Sequence, residues 1–526
     1  MSYISADKIT SDNNVEQIVV WERDSSGRKT KYFPVPYFFY IEDEDGPFTS
    51  MTGEKLKRLD FANKDDFRTA YVYCKNERIK TYEATVNPVA KVLSQHYYNS
   101  STPKVNITFY DIEVDYNKDI GFAGVDTPYA PINSVSLYHA WKDELVVIAI
   151  PPDDQIIDEK KFIEELNTID PIKGKFRLKL VKTERDLLIE FLNEIEDSDL
   201  YCGWNSDTFD TPYVGRRLES YGKRFLKKFD FPETSREPTF RDDFKPFRNS
   251  SVTATTMNTF GRIKADYLRL FKKFEAAERP SYSLQAISEE ILPDMPKLEY
   301  EGTLHDLYRK NFNFFVRYNI RDCEILQGLE EKLGYVALAI EMYYSSTCLF
   351  ENVLGTIKVA EYSVINYCHY EKHVIVPDRI DLETSDDEDD SKIKGAYVLL
   401  PQAGMYDWIG SIDISSLYPN SIRSLNISPE TLVGQFLDSM EAFKEIRKES
   451  NESLTFSYDD IKFVPNKDKK RLKASALKDT KTAAEWKQYL IANKCAVSGY
   501  GTVFSQEKMG IMPAILADWY SARKTY

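Results

Sequence analysis

The sequence predicts a multidomain α/β protein. Its 526 residues are enough for about three or four domains, each with its own core. Between about residues 104 and 334, strand-like and helical patterns alternate, the order of an α/β sheet domain. Within that region the stretch Ile107-Thr-Phe-Tyr-Asp-Ile-Glu-Val-Asp115 reads as a strand entering a sheet, rich in aromatic and β-branched residues.

Taken in order, residues 1 to 103 mix strand runs, Gln17–Trp21 and Tyr37–Ile41, with short polar turns, and read as a small mixed α/β domain without visible chemistry. In the next region, 104 to 334, Ser134–Tyr138 and Leu145–Ile150 read as strands and Glu184–Ile195 as a helix. Residues 335 to 376 are helical and apolar, most clearly over Tyr335–Met342. The acidic run Glu383–Asp390 reads as a solvated loop at a domain boundary, because a metal cage needs folded walls that such runs lack. Beyond it, Ala396–Leu400 and Trp408–Asp413 read as strands. Residues 437 to 495 are lysine-rich and amphipathic, with Thr482–Ile491 as a surface helix packing Trp486, Leu490 and Ile491 inward. Ala514–Tyr526 reads as a final helix.

The composition, 42% hydrophobic and 29% charged, is that of a folded soluble chain. A formal charge of -15 argues against non-specific coating of nucleic acid, yet leaves room for a local basic groove. The six cysteines (Cys74, Cys202, Cys323, Cys348, Cys368, Cys495) include no Cys-x-x-Cys pair, which points to reduced thiols in a cytosolic compartment rather than to zinc or a disulfide scaffold. No apolar run of membrane-spanning length and no signal-peptide core is present, so the expectation is a soluble, cytoplasmic protein with no membrane partner. There is no internal repeat.

On a strand, side chains two apart share a face, so Asp111 and Glu113 project together. Like charges that close repel, and desolvation adds to the cost, so a cation is the natural companion; magnesium and manganese suit carboxylates. By itself the pair also fits a polar strand end in water. Two later stretches offer partners. In Tyr201-Cys-Gly-Trp-Asn205-Ser-Asp-Thr-Phe209-Asp210, a strand meets a turn at Gly203, Asn205 or Ser206 can cap the next helix, and Asp210 sits in its first turns. Alone, Asp210 could simply answer the helix dipole. In Phe315-Val-Arg-Tyr318-Asn-Ile-Arg-Asp322-Cys, Tyr318 and Asp322 are four apart and share a helix face, with Val316, Ile320, Cys323 and Leu326 toward a core. Tyr318 could equally be a half-buried tyrosine.

Asp-Ile-Glu, Gly-Trp-Asn-x(3)-Phe-Asp and Tyr-Asn-Ile-x-Asp-Cys, in this order and spacing, resemble the three exonuclease motifs of family B DNA polymerases, most nearly the T-even bacteriophage replicative type. Asp266–Phe274, Pro280–Leu284 and Asn426–Thr431 support the resemblance, which runs from about residue 100 to the end. It implies a ribonuclease H-like 3′ to 5′ exonuclease domain with a mixed sheet over 104 to 334. Residues 335 to 376 would return to the N-terminal domain, with a partial palm over 377 to 508 and the start of the fingers over 509 to 526. It implies that Asp111, Glu113, Asp210 and Asp322 hold two divalent ions, Mg2+ or Mn2+. One would lower the pKa of an attacking water that Tyr318 orients, and the other would stabilise the leaving 3′ oxygen. Asn205 and Phe209 would hold the frayed single strand, and Arg248–Arg262 would be a β-hairpin that parts primer from template.

A second stretch, Ser411-Ile-Asp413-Ile-Ser-Ser416-Leu417-Tyr418-Pro, delivers an aspartate at a strand end and turns into a helix whose free amides suit phosphate. Asp413 alone is as good an N-cap as a ligand. The stretch resembles the first palm motif of the same family. That resemblance implies that Asp413 ligates two catalytic ions and the Ile414 carbonyl one of them. The Ser416 and Leu417 amides would hold a dNTP triphosphate, and the Tyr418 ring would exclude a ribose 2′-hydroxyl. Lys394-Gly395-Ala396-Tyr397 resembles the family's template contact through Gly395 and Tyr397, and Arg523 its triphosphate-binding arginine.

The family's Asp-Thr-Asp-Ser turn and Lys-x(3)-Asn-Ser-x-Tyr-Gly motif do not occur in these residues. The expectation is therefore the N-terminal part of a DNA-directed DNA polymerase, divided between two polypeptides or truncated. It would extend a DNA primer-template only with a complementing C-terminal chain, through which a sliding clamp would also act. The alternatives are a stand-alone 3′ to 5′ exonuclease and a non-catalytic DNA-binding replication subunit.

Overall fold

The computed structural model describes the chain except for residues 1, 11–14, 116–118, 233, 235, 246–252, 276, 379–398, 401, 437–460, 466–478, 482 and 526. The chain divides into two compact units, Met1–Pro36 with Val86–Ser363, and Tyr37–Thr85 with Val364–Tyr526. The acidic run, the strand expected from Ala396, Gly395 and Tyr397 fall outside the described residues, wholly or in large part.

In the first unit, Ser2–Thr10, Glu16–Asp24 and Gly27–Pro34 form an antiparallel meander, which includes the expected Gln17–Trp21 strand. The main body is a six-stranded mixed sheet in the order Lys175–Leu180, Glu144–Ala149, Ile132–His139, Ile107–Val114, Leu200–Gly203, Ile263–Asp266. Ile132–His139 runs antiparallel to both its neighbours, while Leu200–Gly203 runs parallel to both of its own. One core gathers Tyr110, Ile112, Val135, Val146, Ile148, Leu187, Phe191 and Tyr213. The helix Phe312–Leu333 also packs on the sheet, with Val316, Ile320, Cys323 and Leu326 fully buried as expected. Gly334, at φ +65°, ends that helix in the left-handed conformation that costs glycine least, and Tyr335–Ser345 follows at once.

Thr108, Tyr110, Ile112 and Val114 are buried, but the acidic face of their strand is enclosed too: Glu113 is only 8% exposed. That removes the reading of carboxylates in open water. Only the second strand of the pair Thr239–Phe244 and Ala254–Asn258 lies within the hairpin stretch expected from Arg248.

In the second unit, Phe38–Glu42, Lys55–Asp60 and two short strands form a four-stranded sheet. A separate five-stranded sheet has Leu432–Phe436 at its centre, and the helix Ala483–Ala492 sets Trp486 edge-on to Phe436 with ring centroids 5.2 Å apart. Trp486 and Leu490 point inward, whereas Ile491 is 69% exposed. Trp486 and Leu490 are one turn apart, and Ile491 falls a further 100° round the helix. The strand expected over Trp408–Asp413 is not one: the stretch is irregular and exposed, and no described strand pairs with it. Its aromatic and β-branched residues suit a strand, but a strand exists only through a hydrogen-bonded neighbour.

The Asn426–Thr431 motif ties this unit together. The Asn426 amide donates to the carbonyls of Ser505 and Lys508 and accepts from Gly510 N–H. Glu430 and Ser428 accept the Ile511 and Met512 N–H groups, which caps the helix Ile511–Thr525.

Candidate active site

In the first unit, three segments far apart in sequence meet at the sheet strand Ile107–Val114. The strand supplies Asp111 and Glu113, and the helix Phe312–Leu333 supplies Asp322. Ligand oxygens of these three carboxylates all lie within 4.8 Å of one another. Asp210 is the first residue of the helix Asp210–Ser220, and its carboxylate accepts the Ile112 N–H at 3.3 Å. It lies outside the close trio yet is near enough to repel Asp111 and Glu113. The expected cap is absent, since Phe209 occupies the N-cap position without a side-chain bond. The Ser206 hydroxyl instead accepts from Gly203 N–H and donates to the Ala265 carbonyl. Gly203 is needed because a Cβ there would come within 2.8 Å of the Ser206 Cβ.

The electrostatics follow from this crowding. Burial, then repulsion from Asp322, pushes the Glu113 carboxyl from its ordinary 4.5 up to about 8. Burial likewise lifts Asp210 from 3.8 to about 7, against the pull of backbone N–H groups. Asp111 is raised by burial and then by Asp322, Asp210 and Glu113, while Asp322 is raised by burial although Lys297 opposes it. Lys297 Nζ stands 2.5 Å from Asp322 Oδ2 and 4.6 Å from the centroid of the Tyr318 ring. Burial alone would lower this ammonium; Asp322, Tyr318 and Asp111 outweigh it and raise it. Tyr318, raised by burial and then by Asp322, stays protonated, with its ring edge-on to Tyr300.

Both Glu113 and Asp210 hold protons to higher pH in the folded chain than in the unfolded chain. Metal-free stability therefore falls as pH rises from about 4 to about 8, the window between their unfolded and folded values. Melting curves in EDTA at pH 5 and pH 8 check the direction, and saturating Mg2+ flattens the fall. A stability that rises over that window contradicts it.

Asn319, His305, Phe122 and Lys297, about the same site, escape sequence inspection. Asn319 is fully buried; its amide donates to Asp111 Oδ2 at 2.8 Å and accepts from the hydroxyls of Ser134 and Ser136. Those serines face Glu113 and Asp111 across the strand pair. Asp115, next on the acidic face, pairs with His305 at 2.7 Å. Phe209 packs on Phe122, which is 62% exposed, and Asn205 is exposed. Lys297 lies in a Met-Pro-Lys-Leu run with no motif around it; the only available signal was that several enclosed carboxylates need a positive charge.

The trio fits a divalent cation with oxygen ligands. The donors are all carboxylates, Glu113 and Asp322 are buried and Asp111 is half-buried, and Asp322 Oδ1 is a buried oxygen with no hydrogen-bond partner. The second expected site is different. Asp413 and Ile414 are exposed in irregular backbone, and no group of three carboxylates forms around Asp413 among the described residues. Ser416, at φ +52°, is the N-cap of the helix Leu417–Leu425, so Asp413 is not. Leu417 and Tyr418 open that helix and face solvent. Arg523 lies on the helix Ile511–Thr525; its side chain is outside the description.

Residues 62–287 match DNA polymerase family B, exonuclease domain, and residues 355–526 match DNA polymerase family B. The chain belongs to DNA polymerase family B. The first match takes in Asp111, Glu113 and Asp210, and the second Asp413. Over 256 residues this family B chain is 32% identical to the DNA-directed DNA polymerase of Enterobacteria phage T4, covering 48% of the chain and 27% of the relative. Over 442 residues it is 26% identical to that of Escherichia phage RB69, covering 80% of the chain and 47% of the relative. The DNA polymerase of Pyrococcus glycovorans is 23% identical over 259 residues, 48% of the chain and 32% of the relative. The chain thus spans less than half the length of these curated relatives. None of the six cysteines is disulfide-bonded. Among the described residues, no helix is long and apolar enough to cross a membrane.

Proposed function

We propose that the first unit removes nucleotides one at a time from single-stranded 3′ ends of DNA by hydrolysis, as the proofreading exonuclease of a family B replicative polymerase. The observation that carries this is the enclosed trio Asp111, Glu113 and Asp322, with Asp210 beside it and an unpartnered Asp322 oxygen. Two ions, Mg2+ or Mn2+, held by these four carboxylates would neutralise the scissile phosphate and provide an attacking hydroxide near neutral pH. The chain's own groups do the rest. The protonated Tyr318 hydroxyl, on the same helix face as Asp322, orients the attacking water. Asn319 holds Asp111 in the ligating orientation, and Lys297 holds Asp322 and offsets part of the cluster's negative charge. Asn205 and the Phe209 ring hold the frayed strand at the mouth.

In the second unit, residues 377 to 508 would form a partial palm and residues 509 to 526 the start of the fingers. Asp413 and the Ile414 carbonyl would be ion ligands, and Ser416, Leu417, Tyr418 and Arg523 would contact a dNTP. Gly395 and Tyr397 would touch the template. A second acidic segment from a C-terminal polymerase chain would complete that centre and bring the clamp with it. The setting is the cytoplasm, that of the host cell if the chain is viral.

The test is a 5′-labelled oligonucleotide incubated with the chain and Mg2+. A ladder of products shortened from the 3′ end, faster on single strands than on paired ends and absent in EDTA, is the expected result. Cleavage at internal positions, or a ladder that persists in EDTA, would overturn the reading.

A further inference from the structure

Four consecutive residues of the loop after Gly203 are each held by one short stretch, 264 to 269. The Trp204 ring stacks on Tyr267 with centroids 6.3 Å apart and planes 24° from parallel. Asn205 N–H donates to Asp266 Oδ1 at 3.1 Å. The Ser206 hydroxyl donates to the Ala265 carbonyl at 3.3 Å. Asp207 N–H donates to Asp266 Oδ2 at 3.1 Å, and the Asp207 carboxylate pairs with Lys264 at 3.0 Å and with Arg269. The carboxylate of Asp266 is the hub, because it also accepts the Leu268 and Arg269 N–H groups and so caps the helix Tyr267–Phe274. An N-cap aspartate needs only those last two bonds. Asp266 is 3% exposed and spends both oxygens on a second segment some sixty residues earlier in sequence.

We infer that Asp266 is a positioning residue for the single-strand contact: through two backbone N–H groups it sets the loop that carries Asn205, Phe209 and Asp210. This rests on the exonuclease reading above. Asn205 sits at φ +60°, a left-handed conformation that asparagine adopts more readily than other non-glycine residues. Its amide oxygen accepts from the Thr208 hydroxyl at 2.9 Å, which leaves the amide N–H groups as donors toward a nucleotide. Preorganising a binding loop in this way removes its ordering cost from the binding step. The effect should therefore fall on the strand-holding contacts more than on the carboxylates that do the chemistry, three of which stand on the central strand and the long helix.

Two variants separate the roles of the hub. Asp266→Asn keeps one acceptor oxygen and turns the Asp207 arm repulsive. Asp266→Ser keeps a competent helix cap and releases the loop. The measurements are KM and kcat for trimming of an oligothymidylate with Mg2+, and hydrogen exchange of peptides covering 203–210 and 267–274. Expected for both variants is a KM raised about tenfold with kcat within about threefold of the parent. Exchange should be at least about tenfold faster at Asp207 in Asp266→Asn and over 205–207 in Asp266→Ser, in which it should be unchanged over 268–269. A kcat that falls with the folded fraction at constant KM would overturn the inference, as would unchanged exchange over 205–207. If the parent chain itself trims nothing, the exonuclease reading fails instead, and the exchange data still report whether Asp266 holds the loop.

Discussion

Replacing Asp111 by Asn and Glu113 by Gln together lowers 3′ trimming by on the order of a thousandfold, because the cation loses two of its three closest carboxylates and with them several kcal/mol of charge stabilisation in the transition state. The same double change raises the thermal stability of the metal-free protein. Three carboxylates within 4.8 Å of one another repel, and the pair removed is isosteric with the amides that replace it. Loss of activity together with a gain of stability marks a site built for a ligand rather than for the fold. Single-turnover trimming and melting in EDTA are the two measurements. A double variant that trims at the parental rate, or one that is less stable than the parent without metal, would remove the basis for the metal reading.

Lys297→Met has the opposite signature in stability. Its ammonium is the counter-charge nearest Asp322, with only about a fifth of its side chain exposed. Deleting one partner of an enclosed ion pair leaves the other charge uncompensated, so metal-free stability falls by about 3 kcal/mol. Divalent metal supplies replacement positive charge, so the gap between variant and parent narrows as Mg2+ approaches saturation. Urea unfolding with EDTA and with Mg2+ reads both effects. A gap that is the same in both conditions would show that Lys297 serves packing against Tyr318 and not charge balance.

These two expectations rest on residues that differ in how visible they are. Asp111 and Glu113 announce themselves by spacing on a strand, and Tyr318 and Asp322 by spacing on a helix, since each periodicity is a local property of the backbone. Asp210 is visible as a helix-start acid, but the capping arrangement expected before it is wrong. Ser206 turns instead to the neighbouring strand, a contact that no local pattern encodes. Lys297 carries no local signal, and Asp266 shows only as a helix-capping aspartate, not as a partner of the loop after Gly203. The stretch before the helix Leu417–Leu425 shows the converse case: the aromatic and β-branched residues of Trp408–Asp413 read as a strand, and the missing ingredient among the described residues is a pairing partner, which is non-local by nature.

The sequence by itself, through its resemblance to family B polymerases, grouped an acidic strand, a helix-start aspartate and a Tyr–Asp helix face into one expected carboxylate chemistry, and its alternating strand and helix patterns predicted the α/β character. Tertiary structure alone decided which carboxylates come within ligand distance, that a lysine from an unmarked loop sits among them, and that Asp266 accepts the backbone N–H groups of Asn205 and Asp207. The physical reason is range. Periodicity acts over a few residues along the backbone, whereas repulsion, ion pairing and burial act through space, between groups that only the folded sheet brings together.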